Sequence, residues 1–250
     1  MAVIGIFDSG SGGLSVFREI RKVLPGEKYI YFSDNAHCPY GRKSREYIID
    51  RARAITGILL DKGADIIVIA CNTATAAAIS TLRQEYGIPF IGMEPAVKPA
   101  ALGTRSGVIG VLATAGTLNA SKYLDTRDRY TEGIKVIEHV GEGFVELVEA
   151  GELSGPKARA TVEASLKPLL DAGADTIVLG CTHYPFLLPV MEGVAAGSGV
   201  RFIDPAPAVA RHLLKVLEEE KIGLTNGEPD IELMASGSAD NLRKLFSLIC

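Results

Sequence analysis

One thirteen-residue stretch occurs twice in this chain. "LLDKGADIIVIAC" (Leu59 to Cys71) and "LLDAGADTIVLGC" (Leu169 to Cys181) agree at nine of thirteen positions, stand 110 residues apart, and both end on cysteine. The next segment recurs too, "IPFIGMEPAV" (Ile88 to Val97) being answered by "VRFIDPAPAV" (Val200 to Val209), and "GIFDSG" (Gly5 to Gly10) is answered more faintly by "GVLATA" (Gly110 to Ala115). This period exceeds the roughly 20–50 residues of a solenoid unit, so duplication of a small domain explains it better. Two similar halves related by a pseudo-twofold axis are expected.

The class of each half follows from the pattern between the echoes. Short β-branched runs alternate with longer helical patterns, and most junctions carry Gly or Pro. Expected strands are Val3–Phe7, Tyr29–Ser33, Ile66–Ala70, Phe90–Met93, Val108–Ala113, Lys135–His139, Thr176–Gly180, Val200–Ile203 and Ile231–Ala235. Apolar spacing predicts helices over Arg45–Leu60, Thr75–Tyr86, Lys157–Leu170, Ala208–Glu220 and Asp240–Ile249. Runs such as "IIVIA" and "TIVLG" are apolar throughout, as strands covered by helices on both faces are, so the sheets should be largely parallel. The fold class is α/β: two pseudo-symmetric, doubly wound domains with the active site in the cleft between them. Residues 1–96 with 208–250 form the first expected domain and 97–207 the second. Hinges are expected near Pro95–Pro99 and Pro205–Pro207.

Composition narrows the function classes. With 47% hydrophobic and 22% charged residues, and no apolar run long enough to cross a bilayer, the chain reads as soluble and cytoplasmic, its Ala2–Phe7 stretch being a first strand rather than a signal peptide. A net charge of −4 leaves no basic footprint for nucleic acid; Arg42, Lys43 and Arg45 read as a solvated helix start. Neither nucleic acid nor membrane is an expected partner. The four cysteines (Cys38, Cys71, Cys181, Cys250) read as free thiols.

Open α/β sheets place ligands at the carboxyl ends of their strands, where both repeated cysteines are expected to lie. A thiol at or just before a helix N-terminus has its thiolate favoured by the helix dipole and by unpaired backbone N–H groups. Two such thiols on opposite sides of one carbon atom would remove a proton from one face and deliver one to the other, inverting the centre. A lone cysteine ending a buried strand is ordinarily a small inert hydrophobe. The repetition, and the polar residues after each cysteine (Asn72-Thr73 and Thr182-His183), favour chemistry. Zinc binding by His37, Cys38, Cys181 and His183 is an alternative with poor ligand spacing.

"DSGSGG" (Asp8 to Gly13) follows the first strand. It fails the dinucleotide pattern at Ser15 and lacks the Gly-Lys-Ser/Thr ending of a P-loop, so no nucleotide is implied. A turn whose backbone N–H groups hold a carboxylate remains, with Asp8 and Ser9 in the cleft, or else Asp8 as a helix cap. His37, His139 and His212 have no comparable context and read as structural or surface groups; Cys38 and Cys250 have no repeat partner and are assigned no catalytic role.

"FDSGSGGLSV", "CPYG", "ACNTATA" and "GCTHYP", in this order and spacing, resemble the glutamate racemases of bacterial cell-wall synthesis over essentially the whole chain. The resemblance implies interconversion of L- and D-glutamate without pyridoxal phosphate or metal, supplying D-glutamate for peptidoglycan. It implies Cys71 as the base acting on D-glutamate and Cys181 as the base acting on L-glutamate, with Asp8 and His183 as supporting acid/base groups. Ser9, Asn72, Thr73 and Thr182 match positions that hold the amino acid's polar groups, and Tyr40 and Gly41 match the loop that meets its side-chain carboxylate. Glu149 matches the acidic partner of the histidine, although the Cys-Pro often found before this segment is replaced by Gly141-Glu142-Gly143. Thr114 and Thr117 match a threonine-bearing loop and are candidates for substrate contact or for helix capping. The expected partners are thus L- and D-glutamate, and the expected assembly is a homodimer.

Competing classes predict different things. An aspartate racemase would place an acidic residue after the second cysteine, where Thr182-His183-Tyr184 stands. A carboxylate-binding protein has no need of two thiols, and no surface feature of the sequence supports a regulator that binds another macromolecule.

Overall fold

In a computed structural model, which describes residues 1–225 and 227–249, the chain divides into two compact units, Met1–Met93 with Ala206–Cys250, and Glu94–Pro205. Asn226 and Cys250 lie outside the described residues. Compared with the expected split, residues 94–96 join the second unit and residues 206–207 the first, so the two boundaries lie three and two residues earlier. Among the described residues no helix is long and apolar enough to cross a membrane.

The first unit begins with β1 (Val3–Asp8), α1 (Leu14–Val23), β2 (Lys28–Ser33), α2 (Arg45–Asp61), β3 (Ile66–Ile69), α3 (Asn72–Glu85) and β4 (Phe90–Ile91). The second contains α4 (Val97–Gly103), β5 (Val108–Ala113), α5 (Ala115–Leu118), α6 (Ser121–Tyr130), β6 (Lys135–Val140), α7 (Phe144–Glu149), α8 (Gly155–Asp171), β7 (Thr176–Gly180), α9 (Leu188–Val194) and β8 (Arg201–Ile203). The chain then returns to the first unit as α10 (Ala206–Glu219), β9 (Asp230–Ala235) and α11 (Asp240–Ile249).

Both sheets are parallel throughout, ordered β4-β3-β1-β2-β9 and β6-β5-β7-β8. Read from β8, the second order is β8-β7-β5-β6, which is β4-β3-β1-β2 strand for strand under the duplication. The shared packing follows the shared sequence. A Cβ on Gly5 of β1 would lie 3.2 Å from Ala64 and Leu59, and one on Gly110 of β5 would lie 3.1 Å from Ile177 and Leu169, so each first strand runs close under the helix that precedes the cysteine strand. Leu59 and Leu169 occupy the same, first position of the repeat, offset by 110.

Alternation along β2 shows why the unit is covered on both faces. Tyr29 and Tyr31 point to one side, where Phe17 of α1 meets them edge-on at 5.2 and 6.3 Å and Phe246 of α11 packs on Phe17. Ile30 and Phe32 point to the other, into a cluster with Ile48 and Ile55 of α2 and Ala74, Ala78 and Leu82 of α3. In the second unit Ile109, Val111 and Val178 pack against Val97 and Ala100 of α4 and Tyr123 of α6.

Candidate functional site

The first cysteine caps the helix that follows it. Cys71 leaves β3 in an extended conformation (φ −146°), its carbonyl accepts the Thr75 N–H at 2.9 Å, and its Sγ accepts the Ala74 N–H at 3.4 Å. α3 therefore starts at Asn72, three residues before the Thr75 expected from the apolar spacing, because the thiol does the work usually given to Ser, Thr, Asn or Asp. The sulfur lies at the positive end of a fourteen-residue helix. Cys71 is buried, and its Sγ also meets Ser9 Oγ at 3.7 Å; Ser9 Oγ in turn donates to Asp8 Oδ1 at 3.5 Å.

Asp8 ends β1 and is fully buried. Its Oδ2 accepts the Gly13 N–H at 2.8 Å, so the carboxylate braces the "DSGSGG" turn from inside. Gly13 is required there, since a Cβ would come within 2.7 Å of both the Asp8 Cβ and the Tyr31 hydroxyl oxygen. Asn72 and Thr73 form the first residues of α3, both buried. Among the described residues, neither the nitrogen nor the oxygen of the Asn72 amide has a hydrogen-bond partner. A buried amide left so costs about 1–3 kcal/mol, which a polar ligand would recover.

Tyr40 and Gly41 lie on a short 3₁₀ turn (Tyr40–Arg42) that shares the core cluster of Cys71. The Tyr40 hydroxyl donates to Asp34, whose carboxylate also receives Arg51 Nε at 2.9 Å and Nη2 at 2.7 Å. Burial raises the Asp34 carboxyl, but hydrogen bonds from Arg51, Tyr40 and Ser236 outweigh it and hold the group below the usual carboxylate range. The Arg42, Lys43 and Arg45 cluster is exposed around Ser44, whose Oγ accepts the Tyr47 N–H and caps α2. His37, a member of the zinc alternative, hydrogen-bonds the Tyr47 hydroxyl through Nδ1 at 2.6 Å.

The second cysteine is handled differently on the same scaffold. Position 185, the counterpart of Thr75, is proline. Having no N–H, Pro185 cannot give the Cys181 carbonyl the bond that opens α3, and the chain instead makes a tighter bond from the Tyr184 N–H at 3.1 Å and a 3₁₀ turn over Tyr184–Leu187. The expected helix N-terminus at Cys181 is thus replaced by this turn, with α9 starting seven residues beyond the cysteine. The Cys181 Sγ faces His183 Nδ1 at 3.7 Å, and Thr182 Oγ1 lies 3.5 Å from the same nitrogen.

His183, almost wholly buried, meets Glu149 Oε1 through Nε2 at 2.7 Å. A carboxylate only accepts, so Nε2 carries the hydrogen and Nδ1 of the neutral ring is the lone pair that faces the thiol. Glu149 is the last residue of α7, and the altered segment before that helix has a local cause. A Cβ on Gly141 would lie 2.6 Å from the Tyr184 hydroxyl, and Gly143 caps α7 with φ of +79°, where glycine is favoured. Burial, with charge on Cys181 adding to it, pushes the Tyr184 phenol well above its ordinary range.

Thr114 caps α5, its Oγ1 accepting the Thr117 N–H at 3.3 Å and lying 3.0 Å from Thr117 Oγ1. In the first unit the structure gathers Asp8, Ser9, Cys71, Asn72 and Thr73 around the ends of β1 and β3, with Tyr40 in the same core cluster. In the second it gathers Cys181, Thr182, His183 and Glu149 at the end of β7. Asp34 and Arg51 were not singled out by sequence.

The Asp/Glu/hydantoin racemase profile matches residues 4–213. The chain belongs to that family. Its relatives include the glutamate racemase of Stutzerimonas stutzeri, 47% identical over 99% of this chain and 94% of that protein. Among solved structures it is similar to Escherichia coli glutamate racemase in complex with L-glutamate and the activator UDP-MurNAc-Ala (TM-score 0.87, 33% identity, 99% and 95% of the two chains). It is also similar to the Francisella tularensis glutamate racemase in complex with D-glutamate (TM-score 0.83, 30% identity, 99% and 93% covered). The chain is therefore an amino-acid racemase, an isomerase, and its α/β architecture is that of the glutamate racemases.

Proposed function

We propose that this racemase interconverts L- and D-glutamate by a two-thiol mechanism. The observation that carries this reading is the placement of Cys71 and Cys181 at one repeated position, each with its own proton partner and each followed by buried polar side chains. The Cys71 thiolate takes the α-proton of D-glutamate and becomes a thiol, while the Cys181 thiol gives its proton to the opposite face of the carbanion and becomes a thiolate. In the reverse direction the roles exchange. Asp8 serves Cys71 by way of Ser9, and His183, oriented by Glu149, serves Cys181.

The developing carbanion needs preorganised donors. The helix N-terminus after Cys71 and the side chains of Asn72, Thr73 and Thr182 hold the amino acid's polar groups, with Thr114 and Thr117 completing the set, and the Tyr40–Gly41 segment meets the distal carboxylate. No pyridoxal phosphate or metal takes part. The product D-glutamate serves peptidoglycan synthesis in the cytoplasm, and the protein works as a homodimer that engages neither nucleic acid nor membrane.

Circular dichroism of L-glutamate incubated with the protein alone tests the reading. The signal decays to zero as the racemic mixture forms, and does so after exhaustive dialysis against a chelator and treatment with hydroxylamine. An unchanged signal contradicts the proposed activity; loss that metal or pyridoxal phosphate restores contradicts the thiol mechanism.

A further inference from the structure

Arg51 interrupts the buried face of α2. Ile48, Ala52 and Ile55 on that face are buried, and a guanidinium among them requires a partner. That partner is Asp34, fully buried, gripped by both Nε and Nη2 in the fork geometry that suits a carboxylate. Three further contacts tie Asp34 to the neighbourhood of Cys71. Its N–H donates to the carbonyl of Asp8 at 2.9 Å, its carboxylate receives the Tyr40 hydroxyl, and Ser236 at the exit of β9 adds another hydrogen bond. Asn35 and Ala36 are pinned to the same exit, the Asn35 Oδ1 accepting the Gly237 N–H at 2.8 Å and the Ala36 N–H donating to Ser236 Oγ at 3.1 Å.

The Tyr40 hydroxyl is thus committed to a buried ion pair, and its ring is 1% exposed. What this segment can present to a carboxylate is its backbone, whose path is set by where the ring is anchored. We propose that Asp34 and Arg51 are positioning residues for the racemase reaction, the Arg51–Asp34–Tyr40 chain fixing the Tyr40–Gly41 backbone and through it the recognition of the substrate's distal carboxylate. The inference rests on the reading that the chain racemises glutamate and that this segment meets that carboxylate.

The test compares wild type with Arg51→Gln, Arg51→Lys and Tyr40→Phe in steady-state racemisation of L-glutamate, together with inhibition by glutarate, which keeps both carboxylates but lacks the amino group. Arg51→Gln raises KM for glutamate and weakens glutarate about tenfold, within the ~100-fold that a small misplacement can cost, while kcat falls much less. Arg51→Lys, which keeps the charge but not the fork, recovers part of the loss, and Tyr40→Phe, which frees the ring from Asp34, shifts KM in the same direction. A merely structural role lowers the amount of active protein and its melting temperature and leaves KM unmoved. Unchanged KM and glutarate inhibition in folded Arg51→Gln overturn the inference, as they do in Arg51→Lys and Tyr40→Phe if the glutamine variant does not fold. A wild-type protein that does not racemise glutamate overturns the functional reading instead.

Discussion

The ends of β3 and β7 carry the same residue on the same scaffold and treat it in two ways. At Cys71 the backbone does the work: an α-helix begins, its Ala74 N–H points at the sulfur, and Ser9 links the thiol to Asp8. At Cys181 a side chain does it: the proline at 185 denies the chain an α-helical start, and the thiol faces the Nδ1 lone pair of His183, whose ring is held by Glu149. Thr75 and Pro185 occupy the same place in the repeat, as do Thr73 and His183. Duplication supplied two equivalent thiols, and two substitutions nearby made them chemically distinct. A reaction whose two faces present mirror-image substrates does not require identical bases, only two groups able to exchange roles.

The largest effect expected is on the thiols themselves. Alanine at either Cys71 or Cys181 lowers racemisation at least about a thousandfold, because each removes one of two groups that act as a unit. Polarimetry of either enantiomer checks it, and near-wild-type rates in one variant would return that cysteine to a packing role.

Glu149→Gln sharpens the contrast between the two ends. The amide no longer holds Nε2–H as a carboxylate does, so His183 loses its orienting charge and the overall rate falls roughly 10²-fold. Because the two enantiomers have equal free energy, kcat/KM must fall by the same factor in both directions. The asymmetry appears instead in α-hydrogen exchange in heavy water, where exchange of D-glutamate at Cys71 persists and that of L-glutamate at Cys181 is lost. Equal loss of both exchanges would show that Glu149 does not belong to the Cys181 end alone.

Matched packing in the two halves predicts matched stability effects. Gly5→Ala and Gly110→Ala each place a Cβ within 3.1–3.3 Å of buried side chains, and each should cost about 1–3 kcal/mol in urea denaturation. Unequal losses would break the equivalence of the two sheets.

The smallest effect separates the two aspartates of the "GAD" repeats. Asp65 Oδ2 accepts one N–H, from Val3, whereas Asp175 accepts N–H groups from Arg105 and Ser106 and hydroxyls from Thr104 and Thr176. Burial raises the Asp175 carboxyl, and these four bonds more than reverse it, holding the group below the usual range. Its contribution is therefore present above the unfolded value of about 3.9 and disappears as pH falls through the lower folded value. The stability gap between wild type and Asp175→Asn should narrow as pH falls below about 4. A gap that widens toward acid would contradict the sign.

Much of this was legible in sequence because repetition and apolar strands are strong local signals. "IIVIAC" and "TIVLGC" announced buried strands ending on thiols, and the strands became β3 and β7. The helix starts were harder. α1 was missed because Gly13 at its N-cap carries no side chain, the stabilising carboxylate coming from Asp8 five residues earlier. α3 was placed three residues late because a thiol is not an expected cap. Pro185 was in plain view, but its effect depends on the bond that Thr75 makes in the other half. Asp34 and Arg51 were missed for the opposite reason: Arg51 on the Ile48–Ile55 face was a visible anomaly, while its partner lies seventeen residues away across a loop.

The most direct test of two-sided chemistry follows the α-hydrogen of each enantiomer in heavy water in the two single-cysteine variants. Cys181→Ala keeps Cys71 and should exchange the α-hydrogen of D-glutamate without inverting it; Cys71→Ala should show the reverse preference, for L-glutamate. Exchange of the same enantiomer by both variants, or racemisation by either at a near-normal rate, would contradict the assignment of one thiol to each face.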